Sequence, residues 1–136
     1  MDKNTFVTMN QNTLGATLGM DLVRIENGYV EMTMPVDART HQPMGLLHGG
    51  ASVALAETVA SIGGTYLVLP EGNVVVGQEI NANHIKSVRS GKVVAKGECL
   101  HQGKRSQVWE IKIYKEGTQD LVCVSRCTLA VVPHGQ

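Results

Sequence analysis

The chain has 136 residues, 43% of them apolar and 18% charged, and its twelve basic residues are balanced by twelve acidic ones. That length suits one domain with its own core and is short for two, so residues 1–136 are read as a single domain. The even charge excludes the overall basicity of a general nucleic-acid binder, and the composition excludes a disordered acidic chain.

No run approaches the ~18 consecutive apolar residues of a spanning helix, so no membrane partner is expected. The first twenty residues lack a basic start followed by an apolar stretch, which predicts a soluble, cytoplasmic protein. Cys99, Cys123 and Cys127 match neither a disulfide framework nor a C-x-x-C site and are read as reduced core thiols.

Residues 4–11 suit a short leading helix. The runs TLGMDLVRIE and YVEMTMPV flank Asn27-Gly28, the strongest short hairpin signal, and predict two strands. One long helical pattern follows, from Gly49 to about Leu67, ended by Leu69-Pro70-Glu71-Gly72. Everything beyond reads as strand: Val74 to Val88, then KVVAKGECLHQ after Ser90-Gly91, SQVWEIKIY after Gly103-Lys104, and LVCVSRCTLAVV after Glu116-Gly117. Taken in order these four predict an antiparallel meander. A lone helix among antiparallel strands must bury its apolar stripe against the sheet. The fold class is therefore α+β, an antiparallel sheet of about six strands wrapped around one long central helix.

Leu55, Val59, Ile62 and Tyr66 follow the helical period on one face of that helix. Gly50, Ala54, Glu57, Ser61 and Gly64 form a second stripe, so one carboxylate stands on a face otherwise lined by small residues. Gly49-Gly50 open the helix, where the first N–H groups lack internal partners and can polarise a carbonyl. His48 directly precedes them, and Gln42 lies six residues before His48 across Pro43 and Gly45, so a turn can bring both near one pocket. Glu57 lies eight residues past Gly49, roughly 12 Å at the helical rise, too far to serve a carbonyl held at its own helix start. Two helices antiparallel across a twofold axis would set Glu57 of one copy against Gly49 of the other. A buried carboxylate in such a pocket suits a general base or a nucleophile; the plain alternative is an exposed acid on an amphipathic helix.

The segments MPVDARTHQPMGLLHGGASVALAETVASIGG, VVGQEINANHIKSVRSGKV and QVWEI are similar to the hotdog-fold acyl-CoA thioesterases. They resemble the branch with a catalytic Glu on the central helix, that of the enterobactin proofreading and 1,4-dihydroxy-2-naphthoyl-CoA enzymes. The resemblance covers roughly residues 17 to 132. It rests on Q-P-x-G-x-L-H-G-G-x-S from Gln42 to Ser52, a Glu seven residues past the second Gly, and N-A-N-H ending at His84. Met44 stands where relatives often carry Phe, which leaves the acyl preference open.

The resemblance implies hydrolysis of an aromatic or small hydrophobic acyl-CoA. It also implies that the Gly49 N–H polarises the thioester carbonyl, His48 and Gln42 orient carbonyl and water, Glu57 attacks or activates water, and Ser61 assists. It implies a homo-oligomer, a dimer or dimer of dimers, with active sites at the subunit interface and no metal or redox cofactor. It assigns coenzyme A contacts to Gly77, to His84, Ile85, Lys86 and Ser87, and to His101, Gln102, Gly103, Lys104, Arg105 and Ser106.

Half of the twelve cations fall between His84 and Ser106: Lys86, Arg89, Lys92, Lys96, Lys104 and Arg105, against the single acid Glu98. Such a patch suits coenzyme A phosphates, although Lys92 and Lys96 also read as solvated strand residues. If Ser90-Gly91 closes a tight hairpin, His84 lies near Lys96 and His101 near Glu79, too far apart to share a metal. Trp109 reads as core or interface. Three other readings remain: a thioesterase acting on an acyl carrier protein, a non-catalytic acyl-CoA-binding protein, and a hotdog dehydratase, the last disfavoured because dehydration needs a His with a carboxylate placed to move protons on carbon, whereas the resemblance is to the thioesterase loop.

Overall fold

The computed structural model describes residues 1–135. Two short helices, α1 (Lys3–Asn10) and α2 (Leu14–Thr17), precede a hairpin of β1 (Asp21–Glu26) and β2 (Tyr29–Pro35). The long helix α3 (Gly49–Val68) and a 3-10 turn (Leu69–Glu71) follow, then β3 (Asn73–His84), β4 (Lys92–Gln102), β5 (Ser106–Lys115) and β6 (Leu121–Pro133). The leading helix, the Asn27-Gly28 turn and the long helix match the sequence reading. Helix α2 was not expected: Thr13 caps it by accepting from the Ala16 N–H, and the chain then turns at Gly19 (φ 76°) before β1 begins.

All strand pairs are antiparallel, in the order β1-β2-β4-β5-β6-β3. The expected four-strand meander is therefore corrected. Strands β4, β5 and β6 do form a meander, but β2 and β5 occupy both edges of β4, so β3 crosses to the far side and pairs with β6. Ser90-Gly91 leads into β4 rather than closing a hairpin; the Gly91 carbonyl accepts from the Val36 N–H at 2.8 Å. The intervening residues 85–91 are pinned by buried Val88, whose carbonyl accepts from Leu47. The projected pairings fall with the hairpin: His84 lies opposite Cys123, and His101 opposite Val108.

Helix α3 lies across one face of the sheet and packs against β2 through β6. Leu55 and Val59 are fully buried among Met32, Met34, Trp109, Ile111, Ile113 and Leu129, whereas Ile62 and Tyr66 of the same stripe are half-buried. Glycines let helix and sheet close up. A Cβ on Gly63 would lie 2.9 Å from Trp109 Cζ3, and one on Gly97 would lie 2.5 Å from Val59 Cγ1. Gln107, also fully buried, is satisfied at both ends: its amide donates to the Gly64 carbonyl (3.2 Å), and its oxygen accepts from the Trp109 indole (2.8 Å).

One compositional expectation meets a second measure, and one needs correction. A window within Gly49–Glu71 reaches a mean hydropathy of 1.4, within the range of a spanning helix. Its Gly, Ala and Ser residues interrupt any purely aliphatic run without lowering the mean, and here the helix buries its apolar face against the sheet. Cys123 and Cys127 are buried free thiols as read, but Cys99 is only half-buried.

Candidate active site

The start of α3 is capped by its own histidine. His48 has extended backbone (φ −68°, ψ 128°), and its Nδ1 accepts from the Gly50 N–H at 2.8 Å. The Ala51 and Ser52 N–H groups donate to the His48 carbonyl at 3.0 and 3.2 Å. Among the described residues this leaves the Gly49 N–H as the first-turn amide without a protein partner. Gly49 opens into a cavity of about 280 Å³ whose lining includes Gln42, Ser52, His84, Lys86 and Ser87. His84 stands directly over Gly49, where a Cβ would come within 2.9 Å of the ring Nε2.

Gln42 reaches this cavity through a tight turn. Its N–H donates to the Leu46 carbonyl, its carbonyl accepts from Gly45 (φ 75°), and its side-chain oxygen accepts from the Met44 N–H. The NH₂ end of Gln42 is left to the cavity. His48 does not share it: the imidazole faces a second cavity, of about 250 Å³, lined with Leu14, Leu18, Arg39, His41 and Ala54. Within one chain the expected meeting of Gln42 and His48 therefore does not occur, because capping turns His48 back over its own helix.

Glu57 is half-buried on the β3 side of α3, with its carboxylate against the backbone of Gly77. Below it lies Cys127 of β6, opposite Ile80; burial, reinforced by the charges of Glu57 and Glu79, pushes this thiol up to about 12. Cys127 is thus a neutral floor and not a nucleophile. Ser61 follows one turn later, also half-buried. Strand β3 pairs on one side only, with β6, and along it Val76, Gly77, Gln78 and Glu79 are exposed. A β-bulge at Gly77/Glu79 interrupts its register.

The coenzyme A segments named in the sequence fall into two groups. His84, Ile85, Lys86 and Ser87 line the Gly49 cavity, with the Lys86 ammonium 3.1 Å from Asp120. His101 and Gln102 end β4 and Ser106 opens β5; the turn between them is closed by the Gly103 N–H to the Ser106 carbonyl at 2.8 Å. Strand β6 measures the gap: His84 lies opposite Cys123 and Ser106 opposite Ala130, so the groups stand roughly 23 Å apart at the strand rise. Gly77, opposite Leu129, belongs with the turn. The linear cation cluster is consequently no single patch, since β4 separates Lys92 at one end from Lys104 and Arg105 beyond the other. Each chain carries an acid end (Glu57, Gly77 and the 101–106 turn) and a carbonyl end (Gly49, Gln42 and His84). Sequence reading assigned His84 to the nucleotide; its place over Gly49 becomes legible only once β3 is known to end at the helix start. Among the described residues no three His, Cys, Asp or Glu side chains cluster as metal ligands would.

Residues 44–122 match the family described as the thioesterase superfamily. The chain belongs to the thioesterase superfamily. It is 57% identical over 109 residues to the proofreading thioesterase EntH of Klebsiella pneumoniae, covering 79% of this chain and 77% of that protein. It is 49% identical over 118 residues to the 1,4-dihydroxy-2-naphthoyl-CoA hydrolase of Listeria monocytogenes, covering 87% and 94%. The crystal structure of thioesterase HI1161 from Haemophilus influenzae superposes with a TM-score of 0.93 at 45% identity, covering 100% of this chain and 94% of that one. The architecture is the hotdog fold of this thioesterase superfamily, and the chain is a thioester hydrolase.

Proposed function

We propose that the protein hydrolyses an acyl-CoA thioester carrying an aromatic or small hydrophobic acyl group, at sites completed by a second copy of the chain. The observation that carries this is the division of one chain into a carbonyl end and an acid end, joined by an uncovered β3 edge. Antiparallel pairing of β3 across a twofold axis brings Glu57 of one copy toward Gly49 of the other. The resulting dimer, or a homotetramer of two dimers, is part of the proposal, as is a cytoplasmic location.

In this reading the Gly49 N–H, at the positive end of α3, holds the thioester oxygen where negative charge develops. Gln42, and His48 after it turns from its cap, orient carbonyl and water, and Ser61 supports the water beside Glu57. Glu57 follows one of two routes. It attacks the carbonyl carbon to give a mixed anhydride that water then hydrolyses, or it takes a proton from water as that water attacks. Either way the carbon–sulfur bond breaks, CoA leaves as a thiolate and is protonated, and the free acid remains. Lys104 and Arg105 of one copy, with Lys86 supplied by the other, hold the nucleotide phosphates. The Listeria relative, named for an aromatic CoA ester, supports the acyl class.

A second reading is favoured by the EntH relative's name: a proofreading thioesterase removing acyl groups from a carrier protein, whose pantetheine arm is shared with CoA. The deciding experiment measures free-thiol release from aromatic and aliphatic acyl-CoAs, and from the same acyl groups on a carrier protein, by wild type and Glu57→Ala. The expected outcome is CoA turnover that Glu57→Ala abolishes with the fold intact. Near-wild-type turnover by Glu57→Ala removes the mechanism, and release from the carrier alone selects the second reading.

A further inference from the structure

We infer that Gly77 is the positioning residue for the Glu57 carboxylate: its missing side chain is the seat that holds the acid at the β3 edge. The inference rests on the role proposed for Glu57 and deepens it.

Alternation along β3 turns Val75 inward, Val76 outward and Gly77 inward beneath α3; Gln78 is the extra residue of the bulge, and Ile80 resumes the inner face. A Cβ built on Gly77 runs into Glu57 Oε2, with Cδ at 3.1 Å and Cγ at 3.7 Å, and its three nearest neighbours all belong to Glu57. One usual reason for a glycine is missing here. Gly77 is not among the positive-φ glycines, so its backbone is open to any residue. Within one chain it is exposed, and the neighbour its missing side chain makes room for is Glu57. Gly97 provides the contrast: there the space is filled by Val59, with Ile111 and Trp109 beyond, which is ordinary core packing. At Gly77 the same vacancy receives a carboxylate.

A methyl at position 77 would lift the carboxylate on the order of 1 Å, a misplacement that costs about 10²-fold in rate at an active site. Glu57→Asp withdraws the carboxylate by one methylene and vacates the space the methyl needs. The two positions are therefore coupled in a way that a general weakening of β3, of subunit pairing or of CoA binding does not predict.

The test is a double-mutant cycle on the full chain with the acyl-CoA that wild type turns over fastest. Gly77→Ala is expected to lower kcat about 10²-fold with KM within a few-fold, and to cost less than about threefold more once Glu57→Asp is present. A thermal-unfolding cycle needs no turnover: Gly77→Ala lowers the melting temperature of wild type and not that of Glu57→Ala. Wild-type kcat in Gly77→Ala, losses that multiply in the double variant, or a rise confined to KM would each overturn the inference. Full turnover by Glu57→Ala would instead overturn the proposed reaction, which separates the two failures.

Discussion

The two flanks of α3 meet the sheet by the same device and to different ends. On the β4–β5 flank, Gly97 leaves room for Val59, and Trp109 fills the space against Gly63, everything there being fully buried. On the β3 flank, Gly77 leaves room for Glu57, and the outer edge of the strand is exposed and pairs with no other described strand. A glycine opposite a helix reports close approach and does not say for what purpose. The purpose is decided by the atom that fills the gap: a methyl contributes dispersion and burial, whereas a carboxylate must retain a route to water or substrate.

The contrast breaks most visibly at Trp109. Trp109→Ala empties the gap against Gly63 and strips Gln107 of its donor, with an expected loss of about 3–5 kcal/mol in denaturant unfolding. A loss below about 1 kcal/mol would mean that this flank does not carry the core. Gly97→Ala sharpens the contrast: pushing Val59 aside is expected to cost about 1–3 kcal/mol while the folded protein keeps its turnover. That is the reverse of the outcome at Gly77, and a kcat loss at Gly97 comparable to that at Gly77 would erase the distinction. The smallest effect lies at the far turn, away from both flanks. Lys104→Ala or Arg105→Ala is expected to raise KM for acyl-CoA about twofold to fivefold with kcat nearly unchanged, as befits exposed charge contacts. An equal KM change on a substrate lacking the nucleotide would argue against phosphate binding there.

Local chemistry made much of this legible in advance. Asn27-Gly28 marked the first hairpin, Leu69-Pro70-Glu71-Gly72 the end of α3, and the runs after Ser90-Gly91 and Gly103-Lys104 matched β4 and the body of β5. Which strand pairs with which was not legible, because it depends on distant chain. Ser90-Gly91 has the composition of a hairpin turn, but buried Val88 anchors the approach to β4, and β2 already holds the neighbouring edge. The site followed the same pattern. The helix start and the isolated acid could be read from H-G-G and Glu57, and the family motif grouped the rest. The turn of His48 into its own cap, the placement of His84 over Gly49 and the roughly 23 Å between the two coenzyme A segments required the strand order.

Trp109 is the chain's single tryptophan, sealed in the core with its indole N–H donating to Gln107 at 2.8 Å. Beside its three tyrosines the protein therefore carries one indole fluorophore, in the region that folding must close. Its emission reports the assembly of helix and sheet around the indole, whose bonded partner is Gln107 and not Glu57. Fluorescence alone would pass a well-folded but inactive variant as wild type.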